Sequence, residues 1–104
     1  NNAGESGHEL FTYNELKIDF TARKVFIKDK NVELSPKEYD LLFFLARNKN
    51  VALSREKLLK QIWGDNFDGD ERTLDTHIKM LRKSIGDYSR LIVTVRGVGY
   101  RFEI

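Results

Sequence analysis

The fold turns on one stretch, ERTLDTHIKMLRKSI, residues 71–85. At about 100° per residue, Leu74, Ile78, Leu81 and Ile85 fall in one narrow sector of a helix. That sector is expected to be buried, and each such side chain contributes roughly 1.5–3 kcal/mol when fully buried. The opposite sector carries Arg72, Thr76, Lys79 and Lys83, with Met80 toward one edge, while Asp75 and Arg82 flank the other. A solvated helix face usually mixes glutamates among its lysines to gain pairs at four-residue spacing. This face has no glutamate after Glu71 and presents an apolar Met80. A cationic face with a small hydroxyl and an apolar contact point suits the major groove of DNA: lysine and arginine supply phosphate and guanine contacts, and threonine or methionine can touch a thymine methyl. A solvated helix with one stray methionine fits the helix alone equally well; its neighbours decide.

Outward toward the C-terminus, Gly86 stops the helix, and Leu91–Val95 and Tyr100–Ile104 read as a hairpin around TVRGVGYRF, residues 94–102. Gly97 and Gly99 admit positive φ, so the loop can turn tightly. Arg96 sits at the tip, where an arginine can enter a narrow, electronegative minor groove. The hydroxyls of Thr94 and Tyr100 suit phosphate oxygens.

Outward toward the N-terminus, Ser54 predicts a cap for a second helix, Arg55 to Trp63, stopped by Gly64. SPKE, residues 35–38, predicts a capping box with proline at the first helical position, opening a helix that runs to about Asn48. Its apolar residues cover more than one face, which implies packing on more than one side. Residues 10–34 alternate with a period of two and predict a small antiparallel meander. Its turns are read at Asn14-Glu15, Thr21-Ala22 and Asp29–Asn31, with Val32–Leu34 as the closing strand. Residues 1–9 read as a flexible tail or linker remnant, and residues 10–104 as the domain. The chain does not begin with methionine, which leaves room for an upstream domain.

Composition narrows the classes. There are no cysteines, so disulfides, thiolate metal sites and cysteine nucleophiles are excluded. The longest apolar run, Leu41–Ala46, is six residues, too short to span a bilayer, so no membrane partner is expected. Residues 1–78 hold 12 lysines and arginines against 14 acids, a balance of −2, and residues 79–104 hold 6 against 2, a balance of +4. The cationic excess is thus confined to the last quarter, which points first to a polyanionic partner.

Rival chemistries fare poorly. A dinucleotide fingerprint needs a third glycine and a following helix, and Phe102 and the chain end stand there instead. A calcium loop counted from Asp65 meets Phe67 and Gly69 at ligand positions, and counted from Asp68 it meets Arg72. His77 has only His8 as a fellow histidine, so packing or a phosphate contact is favoured over metal. Trp63 reads as a packed ring with its indole N–H outward. No nucleophile–base pair appears, so no catalytic residue and no cofactor is expected. The rival outside catalysis is a winged-helix protein-interaction module without direct DNA readout.

Together SPKEYDLLFFLARNKN, LSREKLLKQIWGDNF, DERTLDTHIKMLRKSI and VTVRGVGYRF resemble the OmpR/PhoB-type winged-helix effector domain of bacterial two-component response regulators. The resemblance spans about Glu9–Ile104. It implies an α+β fold: a four-stranded N-terminal antiparallel sheet, three helices and a C-terminal β-hairpin wing. It implies sequence-specific binding of double-stranded DNA, in repeated half-sites, and transcription regulation in the bacterial cytoplasm. By position, Thr76, Lys79, Met80 and Arg82 match groove-facing residues, and Arg96 matches the wing arginine. Trp63, Arg72, Thr73, Lys83, Thr94 and Tyr100 match phosphate-facing positions. Met80 departs from the family, where arginine is frequent. The loop with Asp65, Asn66, Phe67, Asp68 and Asp70 resembles the segment that touches RNA polymerase in activators, although acid there fits a solvated loop equally well. The resemblance further implies an upstream receiver domain, addressed by a sensor histidine kinase, and no phosphate-accepting aspartate in this chain.

Overall fold

Short-range backbone chemistry lays down the first unit. The computed structural model describes residues 9–65 and 69–104. The chain divides into two compact units, one ending at Glu33 and one spanning Leu34–Ile104. The first is an antiparallel sheet in the order β1-β2-β3-β4: β1 Leu10–Tyr13, β2 Leu16–Asp19, β3 Lys24–Ile27 and β4 Lys30–Asn31. Leu16, Ile18 and Val25 are buried while Lys17 and Lys24 are exposed, the alternation that the period of two requires. The closing strand differs from expectation. Ile27 pairs with Lys30, so the turn is Lys28-Asp29, with φ of 54° and 65°. Two consecutive positive φ values match the twist of a two-residue hairpin. Lys30 and Asn31, which read as turn residues, instead form an edge strand, where polar side chains are well tolerated. Val32 adds a last bond, its N–H donating to Val25 O at 2.8 Å.

The second unit holds α1 Pro36–Arg47, β5 Leu53–Ser54, α2 Arg55–Trp63, α3 Arg72–Ile85, a 3-10 helix Gly86–Leu91, β6 Ile92–Val95 and β7 Gly99–Phe102. The capping box at α1 forms as expected: Ser35 N donates to Glu38 Oε1 at 2.7 Å and Glu38 N to Ser35 Oγ at 3.4 Å. Leu41, Leu42 and Leu45 are fully buried, and α1 packs on both α2 and α3. Ser54 caps α2 by accepting from Lys57 N at 3.0 Å. β5 and the 3-10 helix are not foreshadowed by any periodicity or capping signal. β5 completes a three-stranded sheet ordered β5-β7-β6, pairing Leu53 with Tyr100 and Ser54 with Gly99. The hairpin strands start one residue later and one earlier than expected, at Ile92 and Gly99, because the 3-10 helix takes Leu91 and β5 recruits Gly99. The winged-helix architecture expected from the sequence is therefore present: four strands, three helices and a terminal hairpin.

Candidate nucleic-acid interface

The four residues of the narrow sector on α3 are at most 1% exposed. Burying them fixes which face remains outside. Thr76, Lys79, Met80 and Lys83 are exposed, Met80 by 46%. None of these four side chains is engaged with another group among the described residues. The start of α3 is set by Asp70: one carboxylate oxygen accepts from Arg72 N at 2.9 Å, and the other accepts from the Arg72 guanidinium at 2.9 and 2.8 Å. The guanidinium beside Asp70 holds its carboxyl below the usual carboxylate range. Glu71 holds the N-cap position without a side-chain cap bond, and Asp70 satisfies the first free N–H of the helix, that of Arg72. Asp65 is exposed, and Asn66, Phe67 and Asp68 lie outside the described residues.

One flank of α3 is tied to the hairpin. Arg82 donates to Ile92 O through Nε at 3.1 Å and Nη2 at 2.7 Å, and Nη2 also reaches Thr94 Oγ1 at 2.9 Å. Arg82 is therefore engaged along β6 rather than presented outward with Thr76. Because Thr94 accepts from Arg82, its own hydroxyl proton is left to donate elsewhere, and the side chain is exposed. Tyr100 is 4% exposed, and its phenol donates to Asp75 Oδ1 at 2.5 Å. The same oxygen takes Arg55 Nε at 3.1 Å, and the Arg55 and Arg82 guanidinium groups each lie 5.6 Å from the Tyr100 ring centroid. Burial first, and then the bond to Asp75, push the phenol above its ordinary pKa. Asp75, the acid on a basic helix, is thus the point where α2, α3 and the wing meet. Sequence reasoning missed Arg55; an acid placed among cations was the signal that a partner was needed.

The other flank meets α2. His77 Nδ1 donates to Thr73 O at 2.8 Å, and its ring meets Trp63 edge-on at 5.1 Å. Lys37 closes the end of α2, with Nζ on Ile62 O at 2.9 Å and 5.7 Å from the Trp63 ring. His77 is therefore a packing residue. Among the described residues no group of three or more acidic, histidine or cysteine side chains is placed to hold a metal ion.

At the wing tip Arg96 is exposed, and Gly97 has φ +78°, as a tight turn needs. Gly99 differs from expectation. Its φ is not in the left-handed region; it is glycine because a Cβ would stand 2.1 Å from Leu53 O. The β5–β7 pairing requires that close approach.

Two packed helices, the second with an unengaged cationic face and a hairpin pinned along its flank, define a winged helix-turn-helix domain. The chain belongs to the family described as "Transcriptional regulatory protein, C terminal", which matches residues 29–102, and it is of the OmpR/PhoB type. It is 44% identical to the transcriptional regulatory protein ResD of Bacillus subtilis over 99% of this chain and 45% of ResD. It is 43% identical to SrrA of Staphylococcus aureus over 92% of this chain and 42% of SrrA. The chain thus spans less than half the length of these curated relatives. Among solved structures, DrrB, a Thermotoga maritima OmpR/PhoB homologue, superposes with a TM-score of 0.84 at 42% identity, over 91% of this chain and 44% of DrrB. The Klebsiella pneumoniae RstA DNA-binding domain, solved in complex with the RstA box, superposes at 0.81 with 34% identity, over 92% of this chain and 98% of that one. ResD and SrrA are transcriptional regulatory proteins. Among the described residues no helix is long and apolar enough to cross a membrane.

Proposed function

We propose that residues 10–104 act as the output domain of a two-component response regulator in the bacterial cytoplasm, with residues 1–9 as linker. It binds double-stranded DNA in a sequence-specific way and regulates transcription. The observation that carries this reading is the outer face of α3, where Thr76, Lys79, Met80 and Lys83 stand exposed and unengaged beside a hairpin whose tip carries Arg96. α3 enters the major groove, and Arg96 enters the adjacent minor groove. Lys83, Arg72, Thr73, Trp63 and Thr94 face phosphates, and Thr94 has a free proton to donate. Tyr100, whose proton is committed to Asp75, positions the wing. Repeated half-sites, RNA polymerase approached through the loop at Asp65, and a receiver domain answering a histidine kinase complete the reading by family likeness.

Salt titration of DNA affinity tests it. The logarithm of affinity should fall linearly with the logarithm of salt concentration, by about 0.9 per phosphate neutralised. An affinity indifferent to salt sinks the reading in favour of a protein-binding surface.

A further inference from the structure

We infer that the half-site read by this chain presents thymine methyl groups to the middle of α3, with Met80 as the specificity-determining side chain. The inference rests on the DNA-binding reading above and narrows its substrate class. Guanine is most often read by two parallel N–H donors of an arginine. The arginine nearest mid-helix, Arg82, has Nε and Nη2 committed to Ile92 O and Thr94 Oγ1. Arg72, the other arginine of α3, has the same two donors on Asp70. It also lies eight residues before Met80, about 12 Å along the helix axis, and so faces a different base step.

What the middle of the helix does offer is apolar. Met80 is 46% exposed, whereas the other large apolar side chains of α3 are at most 1% exposed. Thr76 and Met80, four residues apart and both exposed, line up as one ridge. Each carries a methyl group. Lys79 and Lys83, also four apart, form a parallel ridge of charge. The thymine C5-methyl is the apolar mark of the major groove, and a flexible thioether moulds readily to it. Lys83 holds a phosphate beside the groove, while the methyl ridge distinguishes thymine from cytosine and from the purines.

The test begins with selection of bound duplexes from a random pool. Each thymine of the winning half-site is then replaced in turn by deoxyuridine, which removes only the methyl. With the wild-type chain, one thymine should lose about fourfold in affinity on that change, the worth of one buried methyl-sized group. With Met80→Ala the same replacement should have no effect, and selection with Met80→Arg should move that step to guanine. An unchanged melting temperature for Met80→Ala keeps folding out of the comparison. A half-site indifferent to uracil, or equally sensitive in Met80→Ala, overturns the inference while leaving DNA binding intact. Enrichment of no duplex at all overturns the DNA-binding reading and this one with it.

Discussion

Asp75 has neighbours that compete for one oxygen: Tyr100 donates to Oδ1 at 2.5 Å and Arg55 at 3.1 Å. A buried phenol that loses its acceptor costs about 1–3 kcal/mol. Asp75→Ala and Tyr100→Phe should therefore each destabilise the chain, but the double variant should cost less than their sum by about 1 kcal/mol in urea unfolding. Strict additivity would show that the bond contributes nothing. The phenol also has a pH signature. Its pKa is raised by burial and by Asp75, so the folded chain keeps the proton longer than the unfolded chain does. That stabilisation is fully present below the unfolded tyrosine value of about 10 and is lost as pH rises through the folded value. Wild type minus Tyr100→Phe should be flat below about pH 10 and should shrink above it. Glycines separate in the same way. Gly97→Ala meets open space and should cost about 1–2 kcal/mol for its left-handed φ alone. Gly99→Ala places a carbon against Leu53 O and should cost at least as much. It should also raise amide exchange along β5, which Gly97→Ala should leave unchanged.

At the scale of elements, α3 divides into an exposed cationic face and a flank held by the hairpin. Lys83→Ala should weaken every duplex alike and lower the salt slope by about one. Arg96→Ala should cost most on A·T-rich flanks, where the minor groove is narrow. Anisotropy titrations over flanking sequences and salt concentrations measure both, and an Arg96 effect indifferent to the flank removes it from the groove. The helices were legible because their information is local. Ser35 and Glu38, or Ser54 before Arg55, state a beginning within four residues, and the apolar spacing of α3 states its buried side. β5 was not legible, since two residues carry no period and their partners lie in β7, distant in sequence. The same limit hid the engagement of Arg82: a helical wheel gives its angle, but only the hairpin's return past Ile92 supplies the acceptor. Composition likewise misplaced β4, because polar Lys30 and Asn31 suit a turn and an edge strand equally well.

For the whole molecule, the uneven charge has a kinetic consequence. The last quarter carries the cationic excess while the remainder is slightly acidic. Such a chain approaches a polyanion with its C-terminal quarter forward. Its association rate with a cognate duplex should fall several-fold between about 50 and 200 mM salt, while dissociation changes less; stopped-flow mixing measures both. A rate independent of salt would place the gain wholly in the bound complex. Ser54 has a double duty, as the last residue of β5 and the cap of α2, while Arg55 N donates to Val98 O at 3.2 Å. The turn end of the wing and the start of α2 are therefore one joint, and Asp75 locks α3 to it. Joined in this way, α3 and the wing of the second unit work as a caliper. If its jaws are the helix and the wing, a duplex whose groove-to-groove spacing differs must bend to fit, and stiffness at bases never touched becomes part of what is recognised.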